Sequence, residues 1–571
     1  MALIRVVEIE NFRAIKALRW LPGPGINCLI GPGDSGKSTV LDAIDLCLGA
    51  RRSVTFTDAD FHGLNYDTPI RIAITLGALE APLKNIDTYG EFLVGFDAEN
   101  GTIETEPGAG LETALTLRLT VQSDLEPEWT LVSPRAAAAS RTRNLNWADR
   151  TRLAPTRLGN TSESNLTWRR GSVLNKISEE RADASKELSN AARELREAFN
   201  EKETEELEEP LAVITKAALQ LGVPVGASVR ALIDAGSVTF SGGAISLHDQ
   251  DGVPLRALGL GSTRLLIAGL QREASQRSSM ILIDEVEHGL EPHRIMRLLG
   301  ALGAKDSDPP LQVFMTSHSP VVIVELSAQQ LHIVRRGAAG HEILRASDAG
   351  DVQGTIRLQP NALLAASIVV CEGASEIGLI RGLDQYFTGQ GETSLAACGA
   401  ALVNGNGDET FARALALQSL GYRTSILRDS DKAAPAAMEE AFIRAGGSIF
   451  AWANERALEQ ELFASLPESA AMELLTLAVE VKETLVAAHI KTISKEAKTL
   501  QAIEIEPLVG DLEPDSRKFL GDAAAKYGWF KTLSVMERVG HDIVGPAFAK
   551  SSDDLTGVVE ALLDWIADGG R

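Results

Sequence analysis

Two groups of residues in this chain have the types and spacing to do chemistry. The first is Gly31-Pro-Gly33-Asp-Ser-Gly36-Lys37-Ser38-Thr39, a Gly-rich loop of the form GxxxxGK[ST]. Its amides can cradle phosphate oxygens, Lys37 can reach the outer phosphates, and Ser38 can ligate Mg²⁺. Asp284 and Glu285 end the apolar run Met280–Ile283, where an acid that holds the Mg²⁺ shell and one that orients the attacking water belong. Further on, His318 at the end of another apolar run could contact a γ-phosphate. The second group is acidic. Glu372 follows SIVVC directly and Glu376 comes four residues later, one turn into the next helix, and Asp429 and Asp431 follow the strand RTSIL. Carboxylates at the ends of parallel strands project into one crevice, where hard oxygen ligands suit Mg²⁺ or Mn²⁺ and where two such ions can hold the attacking and leaving oxygens of a phosphodiester.

The elements that must carry these residues read as α/β. IRVVEIEN alternates, Pro22-Gly23-Pro24-Gly25 breaks the chain, INCLI is a short strand, and 37–48 is helical in pattern. Alternating stretches follow at Ile70–Leu76 and Leu115–Val121. From residue 176 to 222 a charged amphipathic pattern, with Ile177, Leu188, Ala191, Leu195 and Phe199 on one face, predicts an inserted helical hairpin that pairs across a two-fold axis. Strands return at 237–240, 280–283 and 312–315, and the first α/β unit closes near 350. A second one has strands at 367–371, 400–403, 423–427 and 448–453 between helical patterns, which predicts a parallel sheet covered on both faces.

Composition bounds the function. The 571 residues carry 78 Asp+Glu against 55 Lys+Arg, a formal charge of −23, with 44% apolar and 5% aromatic residues. That is a globular composition, and it argues against loose coating of nucleic acid. Cys28, Cys47, Cys371 and Cys398 form no CxxC, so neither a zinc ribbon nor a disulfide framework is expected and a reducing compartment is. The longest apolar run, Ala362 to Cys371, is half of the ~20 residues that span a bilayer; a cytoplasmic protein without membrane contact is expected. One window departs from the acidic balance: between 134 and 170 eight arginines (135, 141, 143, 150, 152, 157, 169 and 170) meet only Asp149 and Glu163. It is either a DNA contact or a structural set paired with acids elsewhere.

The loop, Asp284-Glu285, His318 and the segment Leu258-Gly-Leu-Gly261-Ser262 resemble the ATP-binding-cassette head of chromosome-maintenance and recombination ATPases over residues 1–350. That resemblance implies that Gly261 and Ser262 cap the nucleotide of the opposite protomer, although LGLGSTRL departs from the usual LSGGQ. Strand-EGxxE, the loop Asn404–Gly407 and strand-DxD together look like a TOPRIM domain. Ala457-Leu-Glu459-Gln-Glu461-Leu462 and Trp529-Phe530-Lys531 are similar to the further acidic and lysine elements of the overcoming-lysogenisation-defect (OLD) family nucleases. Either Glu459 or Glu461 is then a metal ligand and Lys531 is catalytic.

An ABC-type head followed by TOPRIM is that family's organisation, closest here to its class 2 members, which include the nuclease subunit of Gabija anti-phage systems. The resemblance implies an ATPase part at 1–175 and 223–355 around a dimerising insertion at 176–222, and a TOPRIM nuclease part at 360–571. It further implies ATP, two Mg²⁺ or Mn²⁺ ions with Ca²⁺ as another candidate, DNA as substrate, a homodimer or larger homo-oligomer, and a UvrD-like helicase partner. The expected activity is an ATP-regulated, metal-dependent DNA endonuclease or nickase. The rival expectation is a non-cleaving DNA-repair or chromosome-type ATPase whose TOPRIM-like part only binds.

Overall fold

In the computed structural model the described residues are 2–51, 53–158, 258–273, 280–337, 340–346 and 350–569, with Asn190, Glu194, Ala212, Gln250 and Leu255 standing singly. The expected strand at 237–240, and the expected hairpin at 176–222 except for three of these single residues, lie outside them. The chain is mixed α/β and divides into two units, one of Met1–Asn11, Leu21–Ile26 and Leu41–Met315, the other of Phe12–Trp20, Asn27–Val40 and Thr316–Arg571.

The first unit contains an antiparallel sheet. Leu3–Phe12 pairs with Ile70–Gly77, which pairs with Glu112–Val121, and that strand is flanked by Leu93–Asp97 and Pro127–Val132. The alternation seen at 70–76 and 115–121 is the record of this sheet: Ile72, Ile74, Leu117 and Leu119 are buried on one face. The same unit holds parallel strands Thr156–Leu158, Met280–Ile283 and Gln312–Met315, the last two wholly buried and therefore, apart from Gln312, apolar rather than alternating.

The arginine-rich window belongs here, and its described members have structural partners. Arg157 bridges Asp42 and Asp45 at 2.7 and 3.1 Å. Arg141 meets Glu91 at 2.6 Å and Arg135 meets Glu106 at 3.7 Å. Arg152 stands 3.8 Å from Asp149. Arg150 lies over the ring of Trp129 and Arg143 over that of Tyr89. Of the two readings of the window, the paired structural set fits these six arginines; Arg169 and Arg170 lie outside the described residues.

In the second unit Ile26–Ile30 runs parallel to Leu331–Arg336, itself paired antiparallel with His341–Arg345. A separate four-stranded sheet follows, in the order Ala400–Asn404, Ser367–Cys371, Arg423–Arg428, Ser448–Ala451, all parallel. The helices Ala374–Gly389, Thr410–Ser419 and Ala436–Arg444 make the crossovers between its strands. From Leu458 the chain is mainly helical to Gly569, and this bundle packs on the sheet through one core containing Val369, Leu427, Leu458, Phe463, Trp529 and Phe530. Among the described residues no helix is long and apolar enough to cross a membrane.

Candidate active site

The loop Gly31–Lys37 turns directly from the strand Ile26–Ile30 into the helix Lys37–Leu48. Gly31 has φ 140°, and a Cβ there would stand 2.7 Å from the carbonyl of Val334, so only glycine permits the turn. Lys37 is 5% exposed, and its Nζ donates to the carbonyls of Gly31 and Pro32 at 3.1 and 2.6 Å. The ammonium is thus folded over the loop itself, while Ser38 stands exposed at the helix start and His318 is exposed after its strand.

Asp284 and Glu285 lie in the first unit, at the end of the buried strand Met280–Ile283, and Glu285 holds φ 48°. A non-glycine residue in that region is strained, a feature that clusters at functional turns. The turn is held by a residue that sequence reasoning does not single out. Arg264, 1% exposed, donates to the carbonyls of Glu285 and His288 at 3.0 Å each. Burial lowers its pKa, and the charges of Glu287, Glu285 and Asp284 act against that. Arg264 stands on the helix Leu260–Glu273, whose start carries Gly261 and Ser262. Gly261 packs against the backbone of Gly289, and Ser262 accepts from Arg294 at 3.2 Å. Arg264 falls within LGLGSTRL, but nothing in that segment says what it would bond, because its role is to span a fold-created gap.

The acidic residues come together more fully. A cavity of about 420 Å³ in the second unit is lined by Glu372, Glu376, Asp429, Asp431 and Glu459, and with them by Lys432, Lys526 and Lys531. The adjacent parallel strands Ser367–Cys371 and Arg423–Arg428 bring the first four acids to the same edge. Three hydrogen bonds to backbone groups fix Glu372: its N–H donates to Leu427 O at 2.8 Å, its carbonyl accepts from Gly407 at 2.9 Å, and its Oε2 accepts from Asp429 N–H at 3.0 Å. The glycine loop 404–407 therefore serves the acids by clamping the strand end. Glu376 accepts from the amide of Gly373 at 2.8 Å, and Asp429 accepts from the amide of Leu458 at 2.9 Å, which seats the helix Leu458–Ser465 over the cavity.

Lys531 reaches the rim by a different construction. The helix Pro514–Tyr527 ends at Gly528, and Trp529 and Phe530, both almost fully buried, pin the chain before it turns out at Lys531. Trp529 Nε1 donates to His489 at 3.2 Å. The next helices approach Ala374–Gly389 so closely that a Cβ on Gly382 would lie 2.2 Å from the carbonyl of Glu537.

The electrostatics of the cavity are those of crowded acids. Burial, then the charges of Glu376, Glu372 and Glu459, push Asp429 up to about 8. Burial, then Glu459 and Glu372, push Glu376 up to about 7, although the amides that bond it pull the other way. Burial also raises Glu459, opposed by its backbone hydrogen bond and by Lys531. Glu459 Oε1 is buried with no hydrogen-bond partner. An acceptor oxygen left without a donor, among carboxylates that resist ionising together, fits a divalent cation.

One expectation is corrected. Glu461 does not line the cavity: it is fully buried, paired with Arg456 at 3.1 Å and bonded by Ser465, because two residues along a helix from Glu459 is a turn of about 200° to the opposite side. Glu459 is the acid that faces the site. Glu372, Asp429 and Asp431 line the same cavity, and among the described residues no three acidic, His or Cys side chains are gathered into a ligand shell as they stand. The Glu372 carboxylate accepts from the Asp429 amide while its charge still acts on Asp429 and Glu376. Arg517, in turn, is engaged by the carbonyls of Phe463 and Leu466 rather than the cavity.

A family model described as "AAA domain, putative AbiEii toxin, Type IV TA system" matches residues 26–325. An OLD nuclease of Thermus scotoductus is 23% identical over 364 residues, spanning 58% of this chain and 62% of that protein's length, in agreement with the family resemblance carried by the motifs. Among solved structures, the SMC head domain from Thermotoga maritima matches at 15% identity, covering 60% of this chain and 99% of that one with a TM-score of 0.28. A Pyrococcus furiosus Smc head domain bound to the C-terminal domain of ScpA matches at 15% identity over 62% of this chain and 100% of that one, TM-score 0.36.

Proposed function

The chain belongs to the AAA-domain family whose model spans residues 26–325, and on that premise we propose that it is an ATP-regulated, metal-dependent DNA endonuclease or nickase that cuts in the acidic cavity of its second unit. The observation that carries this reading is the meeting of Glu372, Glu376, Asp429, Asp431 and Glu459 with Lys432, Lys526 and Lys531 around one cavity. Such a set serves a phosphodiester substrate: the acids hold cations and the lysines hold the polyanion. The likeness to a protein named OLD nuclease points the same way.

In the proposed mechanism Glu372, Asp429, Asp431 and Glu459 hold two Mg²⁺ or Mn²⁺ ions, with Glu376 behind them; Ca²⁺ is a further candidate. When bound, those ions supply charge for the attacking and leaving oxygens. Lys531, whose charge acts on Glu459 across the cavity lining, stabilises charge developing on the phosphate, and Lys432 and Lys526 draw the flanking phosphates. The nucleotide part works separately. Lys37 releases its bonds to the Gly31 and Pro32 carbonyls to meet the phosphates, Ser38 and Thr39 sit at the metal and helix start, Asp284 holds the Mg²⁺ shell, and Glu285 orients water. His318 contacts the γ-phosphate, and Gly261 and Ser262 cap the nucleotide of a second copy. The domain division at 1–175, 176–222, 223–355 and 360–571, the homodimer, a UvrD-like helicase partner, a cytoplasmic setting and a role in phage defence are parts of the same proposal.

The deciding experiment incubates supercoiled plasmid with the pure protein and Mg²⁺, Mn²⁺ or Ca²⁺, with and without ATP. Metal-dependent nicked or linear product is expected. Binding without any cutting under every metal would favour the rival, a non-cleaving ATPase.

A further inference from the structure

A second cavity, of about 620 Å³, lies on the antiparallel sheet of the first unit, and none of its lining residues belongs to a nucleotide or acidic motif of the sequence. Strand alternation builds its floor. Thr116 and Arg118 face the same side of Glu112–Val121, and in the neighbouring strand Val132 and Thr130 stand opposite them. Val94 and Ile103 add an apolar patch, and Ala136 and Ala137 of the helix Pro134–Ala138 form the facing wall. The volume is in the range of small-molecule sites, roughly 300–1,000 Å³.

Arg118 is the group without an explanation. It is half-buried, and its Nε is enclosed with no hydrogen-bond partner. Other arginines of the unit have acids: Arg5 pairs with Glu112, Arg71 with Glu10, Arg157 with Asp42 and Asp45. A guanidinium whose Nε is enclosed without an acceptor is costly, and its planar fork matches a carboxylate through two parallel hydrogen bonds. The remaining charges on the wall limit the ligand. Arg141 is matched by Glu91 at 2.6 Å, and Glu8 adds a negative charge, so a polyphosphate is disfavoured and a single negative group is favoured.

We propose that this cavity binds a small monocarboxylic acid with an apolar body, its carboxylate on Arg118 beside the Thr130 hydroxyl and its body against Val94, Ile103 and Ala137. The site is independent of the cleavage reading, since none of its residues belongs to either catalytic group.

The test is calorimetric titration of the full chain with three probes: benzoate, benzyl alcohol as the same body without charge, and inorganic phosphate as the charge without a body. Benzoate should bind saturably near about 1 mM, the affinity expected of so small a ligand, and at least about tenfold more tightly than either other probe. Arg118→Gln should bring benzoate down to the level of benzyl alcohol. Ala137→Leu, which narrows the cavity without touching the charge, should weaken benzoate and benzyl alcohol together. Equal binding of benzoate and benzyl alcohol, tighter binding of phosphate than of benzoate, or unchanged benzoate affinity in both variants would each overturn the proposal, as would the absence of saturable heat with the wild-type chain.

Discussion

Asp429 donates its backbone N–H to the Glu372 carboxylate at 3.0 Å, so one cavity acid uses its side chain to latch the strand end that carries another. The latch orders the crevice by tying Glu372 to the neighbouring strand end. Glu372→Gln keeps an acceptor for that amide while removing the charge. It should abolish plasmid cutting, by about a hundredfold or more if two-metal charge stabilisation is lost, and leave the melting temperature close to that of wild type. Cutting by this variant at the wild-type rate would remove Glu372 from the ligand set.

The two acids of the helix Leu458–Ser465 should separate cleanly. Glu459→Gln removes a crowded carboxylate whose Oε1 has no partner, so cutting should fail while thermal stability is kept or gained. Glu461→Ala leaves Arg456 without its buried partner, and unfolding by urea should show a loss of about 3 kcal/mol, the low end for a broken buried pair because Arg456 is partly exposed. The reverse pattern would restore Glu461 as the ligand.

Acid crowding also sets a pH dependence. Asp429 at about 8 and Glu376 at about 7 are both raised above their ordinary values. The folded state therefore binds more protons than the unfolded state between about pH 4 and 8, and the contribution of these groups to stability, full below that window, is lost as pH rises through it. The melting temperature of the metal-free chain should fall from pH 5 to pH 8 relative to that of Asp429→Asn. Added Mg²⁺ should raise it more at pH 8 than at pH 5, and a parallel pH response of the two proteins would show that Asp429 is not the group concerned.

Lys37→Ala deletes the ammonium that bonds the Gly31 and Pro32 carbonyls. ATP binding, measured by filter retention, should fall by about a hundredfold while metal-dependent cutting without ATP is unchanged. Glu285→Gln should instead retain ATP and slow phosphate release. Normal turnover in Lys37→Ala would mean that the loop is not the phosphate site.

DNA binding should track the lysines at the cavity, not the arginine-rich window. Lys432→Ala combined with Lys526→Ala should flatten the slope of log affinity against log salt by about 2, near one for each phosphate no longer neutralised. Arg157→Ala should leave that slope alone and cost about 1 kcal/mol of stability, because it takes one guanidinium partner from each of Asp42 and Asp45. A flattened slope in Arg157→Ala would return the window to DNA binding.

What the sequence determined is what depends on short spacing. GxxxxGKS needs only a strand before it and a helix after it, and both are present. The strand at 367–371 was legible as a buried apolar run, those at 400–404 and 423–428 as short stretches between helical patterns, and acids that follow the first and last must lie at one edge. Whether Glu459 or Glu461 faced that edge was not legible, since both suit the first turn of the same helix and only the packing of Leu458, Leu462 and Phe463 into the core fixes its rotation. Tertiary structure alone placed Lys531, far along the chain from Glu459, on the same rim, and gave Arg264 its turn to hold. It also turned the arginines from a basic patch into ion pairs, because partners such as Asp42 and Glu91 are remote in sequence and a local charge count cannot see them. A motif records what neighbouring residues do together, while charge compensation and side-chain direction are settled by interactions that only the folded chain makes.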